Sequence, residues 1–220
     1  MRFYGIFTLT KVVNMDFKRL IFSCLALTIG MSGFCQEMGT MVDSRDNKEY
    51  NTVELIIKLE AGITKKRTWL AQNLDYASEN SSCYKDEPAF CEAFGRLYPW
   101  EDAINVCPEG WRLPTEKDWT EVIDSYGGRN SAGAQLRKDG ASKLDLIMGG
   151  FGNGLIYTGV GKTGSYWDSA GGTEEQNSDG DTQVIPRTAG LISIDQNNDD
   201  IFHVQIGKEH LLSVRCIKMR

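Results

Sequence analysis

The sequence predicts an α+β fold, a small irregular sheet with helices and long loops, on three observations. Val53, Leu55, Ile57 and Leu59 alternate with Glu54, Ile56 and Lys58, the period of two expected of a strand with one buried face. Trp119, Val122, Ile123 and Tyr126 fall at i, i+3, i+4 and i+7 behind Thr115-Glu116-Lys117-Asp118, a capping pattern at the head of an amphipathic helix. Beyond residue 140 the chain is rich in glycine and broken into short β-prone runs, as in a sheet of short strands joined by loops.

The elements follow in order. Lys18 and Arg19 precede an apolar run, Leu20 to Ile29, and then the small residues Ser32 and Gly33. This reads as a secretory signal over residues 1–35, translated from Met15 and cleaved after Cys35. The run is shorter than the roughly 20 residues of a bilayer-crossing helix. Acylation of Cys35, giving a lipid anchor, is the alternative; Phe34 stands where such a site wants a small residue. Residues 36–48 are polar and aperiodic, so a tether is expected there, and a single domain from 49 to 220. A second strand is expected near residues 67–70. The helix from Thr115 has Pro114 just before its cap and Gly127 and Gly128 at its end, residues that disfavour helix before and permit a left-handed close after. A second short helix is expected over 131–138. The β-prone runs lie at 156–159, 164–168, 184–185, 190–194, 201–206 and 211–217, with polar loops at 173–182 and 195–200.

Composition narrows the function. The 220 residues are 41% hydrophobic and 25% charged, with 24 Lys and Arg against 30 Asp and Glu, so the chain is a folded acidic protein without the basic footprint that nucleic acid selects. Loss of residues 1–35 removes Arg2, Lys11, Lys18, Arg19 and Asp16, leaving 20 basic against 29 acidic side chains, a net −9. No later run has the ~18 apolar residues of a membrane helix. Only two histidines occur, and no HExxH, GxxxxGK[ST] or GxSxG string. Cys83, Cys91, Cys107 and Cys216 remain, an even number for an oxidising compartment. Three pairings are open; the favoured one joins Cys83 to Cys91 as a short clip and Cys107 to Cys216 as a long-range tie. A zinc site with four thiolates is the rival, and no CxxC pair supports it.

Four strings are more specific: Trp69-Leu70-Ala71-Gln72-Asn73-Leu74-Asp75-Tyr76, the stretch from Cys83 through Gly95-Arg96-Leu97-Tyr98-Pro99-Trp100, Val106-Cys107-Pro108-Glu109-Gly110-Trp111-Arg112-Leu113-Pro114, and Ser213-Val214-Arg215-Cys216. In their order and spacing they resemble the Fibrobacter succinogenes major paralogous domain, over about residues 49–218. That resemblance implies an exported or surface protein of the kind found in Bacteroidetes and Fibrobacteres. WRLPTEKDW, the later Tyr166-Trp167-Asp168 and the closing Val-Arg-Cys are also similar to the formylglycine-generating and sulfatase-modifying group. This implies a C-type-lectin-like architecture, a helix pair against a twisted antiparallel sheet. Its oxidase members hold copper with two cysteines near the C-terminus. Cys216 matches one, but Leu211 stands at the other, so the resemblance does not extend to the oxidase chemistry.

Tyr166, Trp167 and Asp168 are the candidates for a ligand-facing surface, because aromatic rings stack on the apolar faces of sugars. Trp69, Trp111 and Trp119 are expected in the core. Asp195, Asn197, Asp199 and Asp200 offer oxygen ligands suited to calcium, as Asp179 and Asp181 do, although no EF-hand string is present. Arg96, Arg112 and Arg215 suit the fixing of loop carbonyls, and Glu116 and Asp118 are explained by their place in the first turn of a helix. The expectation is an exported, non-catalytic module recognising a glycan or a protein at the cell surface. The alternatives are a component of an adhesin or fimbrial assembly and, less favoured, an enzyme related to the sulfatase-modifying group.

Overall fold

The structure, a computed structural model, describes residues 36–171 and 187–220. The expected signal with Cys35, the 184–185 run, Asp179 and Asp181 lie outside the described residues. In chain order the elements are β1 (Glu37–Val42), β2 (Glu49–Lys58), β3 (Thr64–Leu70), α1 (Pro88–Phe94), β4 (Leu97–Tyr98), α2 (Trp100–Ala103), β5 (Trp111–Arg112), α3 (Glu116–Ser125), α4 (Gly133–Leu136), β6 (Gly149–Gly152), β7 (Tyr157–Val160), β8 (Thr163–Gly171), β9 (Thr188–Asp195), β10 (Ile201–Gly207), β11 (Leu212–Ser213) and β12 (Ile217–Lys218). Among the described residues the class is mostly β with four short helices, and there are two sheets where one small sheet was expected. The first runs β1-β2-β3-β12-β5 and is antiparallel throughout. The second runs β10-β9-β8-β11-β4, with β6 on β8 and β7 on β6. It is antiparallel except where β11 and β6 each meet β8 in parallel.

The polar tether expected over 36–48 is corrected. Residues Glu37 to Val42 form an edge strand whose six positions pair with Glu49 to Glu54. Backbone pairing needs no apolar side chain, so this exposed strand leaves no periodicity in the sequence. Its turn is built on buried Asp43, whose Oδ1 accepts from the Arg45 backbone N–H at 3.0 Å and from Arg45 Nε at 2.8 Å.

Helix α3 follows its sequence signals. Thr115 Oγ1 accepts from the Asp118 N–H at 3.1 Å and Asp118 Oδ2 accepts from the Thr115 N–H at 2.9 Å, the reciprocal capping box. Gly127 and Gly128 end it at φ +117° and +82°. Its apolar face meets β2, whose Val53, Leu55 and Ile57 are fully buried. At the centre Trp119 packs 4.8 Å from the Trp69 ring and 5.9 Å from that of Tyr166. A second cluster gathers Trp100, Trp111, Trp167, Leu212 and Val214.

The favoured cysteine pairing is present: Cys83 with Cys91, and Cys107 with Cys216 across 109 positions. Beside the second bridge, buried Arg215 donates from Nη1 to the Leu70 and Leu144 carbonyls at 3.0 and 2.7 Å, from Nη2 to the Asp145 carbonyl at 2.6 Å and from Nε to Asn73 Oδ1 at 2.7 Å. The guanidinium fork thus ties two loops to one strand end.

Candidate functional site

The three residues read as ligand-facing are in the core. Tyr166, Trp167 and Asp168 are each 0% exposed, because β8 has β9 on one side and β11 on the other and both its faces are covered. Trp167 Nε1 donates to the Tyr98 carbonyl at 2.7 Å and the Tyr166 hydroxyl to the Ile147 carbonyl at 2.6 Å. Asp168 Oδ2 lies 2.7 Å from His203 Nε2, and its Oδ1 accepts the Ala170 N–H at 2.7 Å. All three therefore have internal partners and meet no ligand surface.

The 195–200 turn is organised by a side-chain cation. Arg137 Nη1 donates to the Asp195 carbonyl at 3.0 Å and the Asn198 carbonyl at 2.6 Å, while Nη2 pairs with Asp199 Oδ1. Asp195 Oδ1 accepts the Asn197 N–H at 2.8 Å. The turn expected to offer calcium ligands through Asp195, Asn197 and Asp199 is thus arranged around Arg137, which holds one Asp199 oxygen and two backbone carbonyls. Among the described residues no group of three His, Cys, Asp or Glu side chains could hold a metal.

A cleft of about 860 Å³ is built from five separate stretches of chain. Asn80, Ser82 and Asp86 come from the loop before α1, and Pro99, Glu101 and Asp102 from the start of α2. Asn153, Gly154 and Tyr157 come from the β6–β7 hairpin, and Arg187, Lys208, Glu209 and Leu211 from the approaches to β9 and β11. Its polar groups are already oriented. Ser82 Oγ stands 2.6 Å from Asp86 Oδ1 and 2.9 Å from the Tyr157 hydroxyl. Asp102 accepts from the Ser78 hydroxyl at 2.6 Å and from Asn80 Nδ2 at 3.0 Å. Partial burial pushes the Asp102 carboxyl up, but the hydrogen bonds from Ser78 and Asn80 outweigh it and hold the group below its ordinary range. It stays a carboxylate. Lys208 Nζ sits 4.0 Å above the Trp100 ring and 3.5 Å from Glu101 Oε1.

Two features fix the shape of the wall. Lys85 and Asp86 both adopt left-handed backbone, φ +56° and +58°, a conformation ordinary residues enter only when their surroundings impose it. It lies within the loop that the Cys83–Cys91 bridge clips. Across the cleft, Asn153 Oδ1 accepts from the Leu155 and Ile156 N–H groups and closes the hairpin, leaving Leu155 91% and Ile156 70% exposed. Leu211 also lines the cleft, and Cys216 is bridged to Cys107.

Sequence reasoning missed this cleft because its residues are ordinary polar types from distant segments. The one local trace is the Asn153-Gly154 turn signal between β-prone runs.

Comparison with known proteins gives one result. A model of the Fibrobacter succinogenes major domain matches residues 45–218. No curated protein and no solved structure matches the chain.

Proposed function

The chain belongs to the Fibrobacter succinogenes major domain family, and from that premise we propose that it is an exported, non-catalytic binding module whose cleft takes a glycan. The observation that carries the reading is the cleft wall, which Asp86, Asp102, Asn80 and Asn153 line together with Tyr157. Sugars present hydroxyl donors and acceptors beside apolar ring faces, and carboxylates, amides and an aromatic ring are the groups that satisfy both. The two disulfides and the pair of sheets supply a rigid base for these loops, which is how binding loops are held in position. We read the architecture as a C-type-lectin-like variant, with the loops before α1 and between β6 and β7 forming the binding side. Two disulfides suit an oxidising compartment, and among the described residues no helix is long and apolar enough to cross a membrane. Against an oxidase related to the sulfatase-modifying group stand Leu211 in place of a thiol and the oxidised state of Cys216.

A second reading is favoured by one observation, the exposed Leu155 and Ile156 at the hairpin tip. Exposed apolar residues at the rim of a cleft mark a protein contact, as in an adhesin or fimbrial component. Binding of the oxidised protein to a glycan array separates the two. Saturable binding that Tyr157→Ala and Glu101→Ala each weaken by about tenfold or more is expected for cleft residues at the centre of a site. Absence of binding to any glycan, together with association that added sugars do not inhibit, would move the assignment to surface assembly.

A further inference from the structure

A second concavity, of about 440 Å³, shares no residue with the cleft and has the opposite charge. Lys65, Arg67, Arg112, Lys117, Lys218 and Arg220 line it, with only Asp118 and Glu121 against them. Its position follows from strand register. Arg67 pairs with Leu55 and Lys65 with Ile57, so the two cations share the sheet face on which those buried residues meet α3. Past the end of the apolar contact that face turns basic. Strand β12 lies between β3 and β5, and the chain at and after its end, Lys218 to Arg220, completes the lining.

The two acids are already engaged. Glu121 pairs with Lys65, and Asp118 with Arg112 Nη1 at 2.8 Å and with the Thr115 cap. Among the described residues Arg67, Lys117, Lys218 and Arg220 have no ion-pair partner. Three uncompensated side-chain cations, Arg67, Lys117 and Lys218, repel one another in this recess, and they do so in a protein that is acidic as a whole. A fixed concentration of one sign in a concave wall focuses potential on ligands of the other sign.

We propose that this recess is a second binding site, for an acidic polysaccharide carrying carboxylate or sulfate groups on successive sugars. The cations belong to two strands, the tail after β12 and the first turns of a helix, so anionic groups spaced along a chain meet them better than a single small ion. The arginine forks match carboxylate and sulfate oxygens two at a time. The recess lies within the range of about 300–1,000 Å³ usual for small-ligand sites, which suits a few sugar units. A nucleic acid duplex is disfavoured, because its broad, continuous charge would also face the acidic remainder of the molecule.

The test is binding of the full oxidised chain to polygalacturonate and to dextran sulfate, with neutral dextran and duplex DNA as comparison, at low and at physiological salt. Retention by at least one of the two acidic polymers, none by neutral dextran, and weakening as salt rises are expected. Reversal of two exposed cations, Lys117→Glu with Lys218→Glu, should weaken binding by about tenfold or more, since charge pairs at a binding surface govern both encounter and affinity. Neither residue is buried, so the variant keeps its fold, and Arg67→Gln gives a second, milder reading of the same recess. Failure of both acidic polymers to bind, equal binding by the reversed variant, or equally tight binding of DNA would each overturn the proposal. The Tyr157→Ala and Glu101→Ala variants should leave this binding unchanged, which keeps its outcome separate from that of the cleft.

Discussion

Asp118 is buried at 8% exposure, yet it remains a carboxylate in a setting that ought to discourage charge. Burial pushes its carboxyl up, while hydrogen bonds from Arg112 and Thr115 outweigh that effect and hold it below the ordinary 3.8. A carboxyl lowered by folding contributes stability that is present above its unfolded value and lost as pH falls through its folded one. Asp118→Asn should therefore lower stability by about 1 kcal/mol at pH 7, the usual scale of a lost cap. The gap between variant and parent should narrow in thermal melts as pH falls below the ordinary 3.8 and the parent in turn takes up its proton. An equal gap at both pH values would mean that shape rather than charge holds the cap. This role was legible, because Thr115 and Asp118 lie three residues apart. Tyr166, Trp167 and Asp168 were misjudged for the converse reason: adjacency to a polar loop says nothing of how many strands flank a segment. Arg215 was legible as a fixer of carbonyls, but which carbonyls depends on segments 70 or more residues away in sequence.

At the scale of elements, legibility tracks length and amphipathicity. Strand β2 and helix α3 each carry a full apolar period and were found close to their true ends. Strands β4, β5, β11 and β12 have two residues each, too few to hold a period, and exist only because a neighbour supplies their hydrogen bonds. Strand β1 is long but exposed on both faces apart from Met41, so pairing alone defines it. The apolar stripe of α3 is the test of the elements that were found. Trp119→Ala should cost about 3–5 kcal/mol, as large aromatic deletions from a core do, read as a shift in denaturant midpoint. A loss below about 1 kcal/mol would contradict the burial of this face.

For the whole molecule the long bridge matters most. Cys107 and Cys216 enclose 109 positions, and closing so long a loop restricts the unfolded chain strongly, by about 4–5 kcal/mol in the chain-entropy account. Cys216→Ser should lower stability by about 2–5 kcal/mol, and an unchanged melting midpoint would show that the bridge adds nothing. The pairing was within reach of the sequence, since one short and one long connection is the simplest use of four cysteines. The division into two sheets was not, because it is decided by where two-residue strands dock. Those strands also set an order of events. Residues 212–213 complete one sheet and 217–218 the other, with Arg215 and Cys216 between them fastening both. In a chain made N-terminus first, neither sheet can close before residues 212–218 have been added. Until those strands are in place, both sheets are left without the segment that joins their two halves.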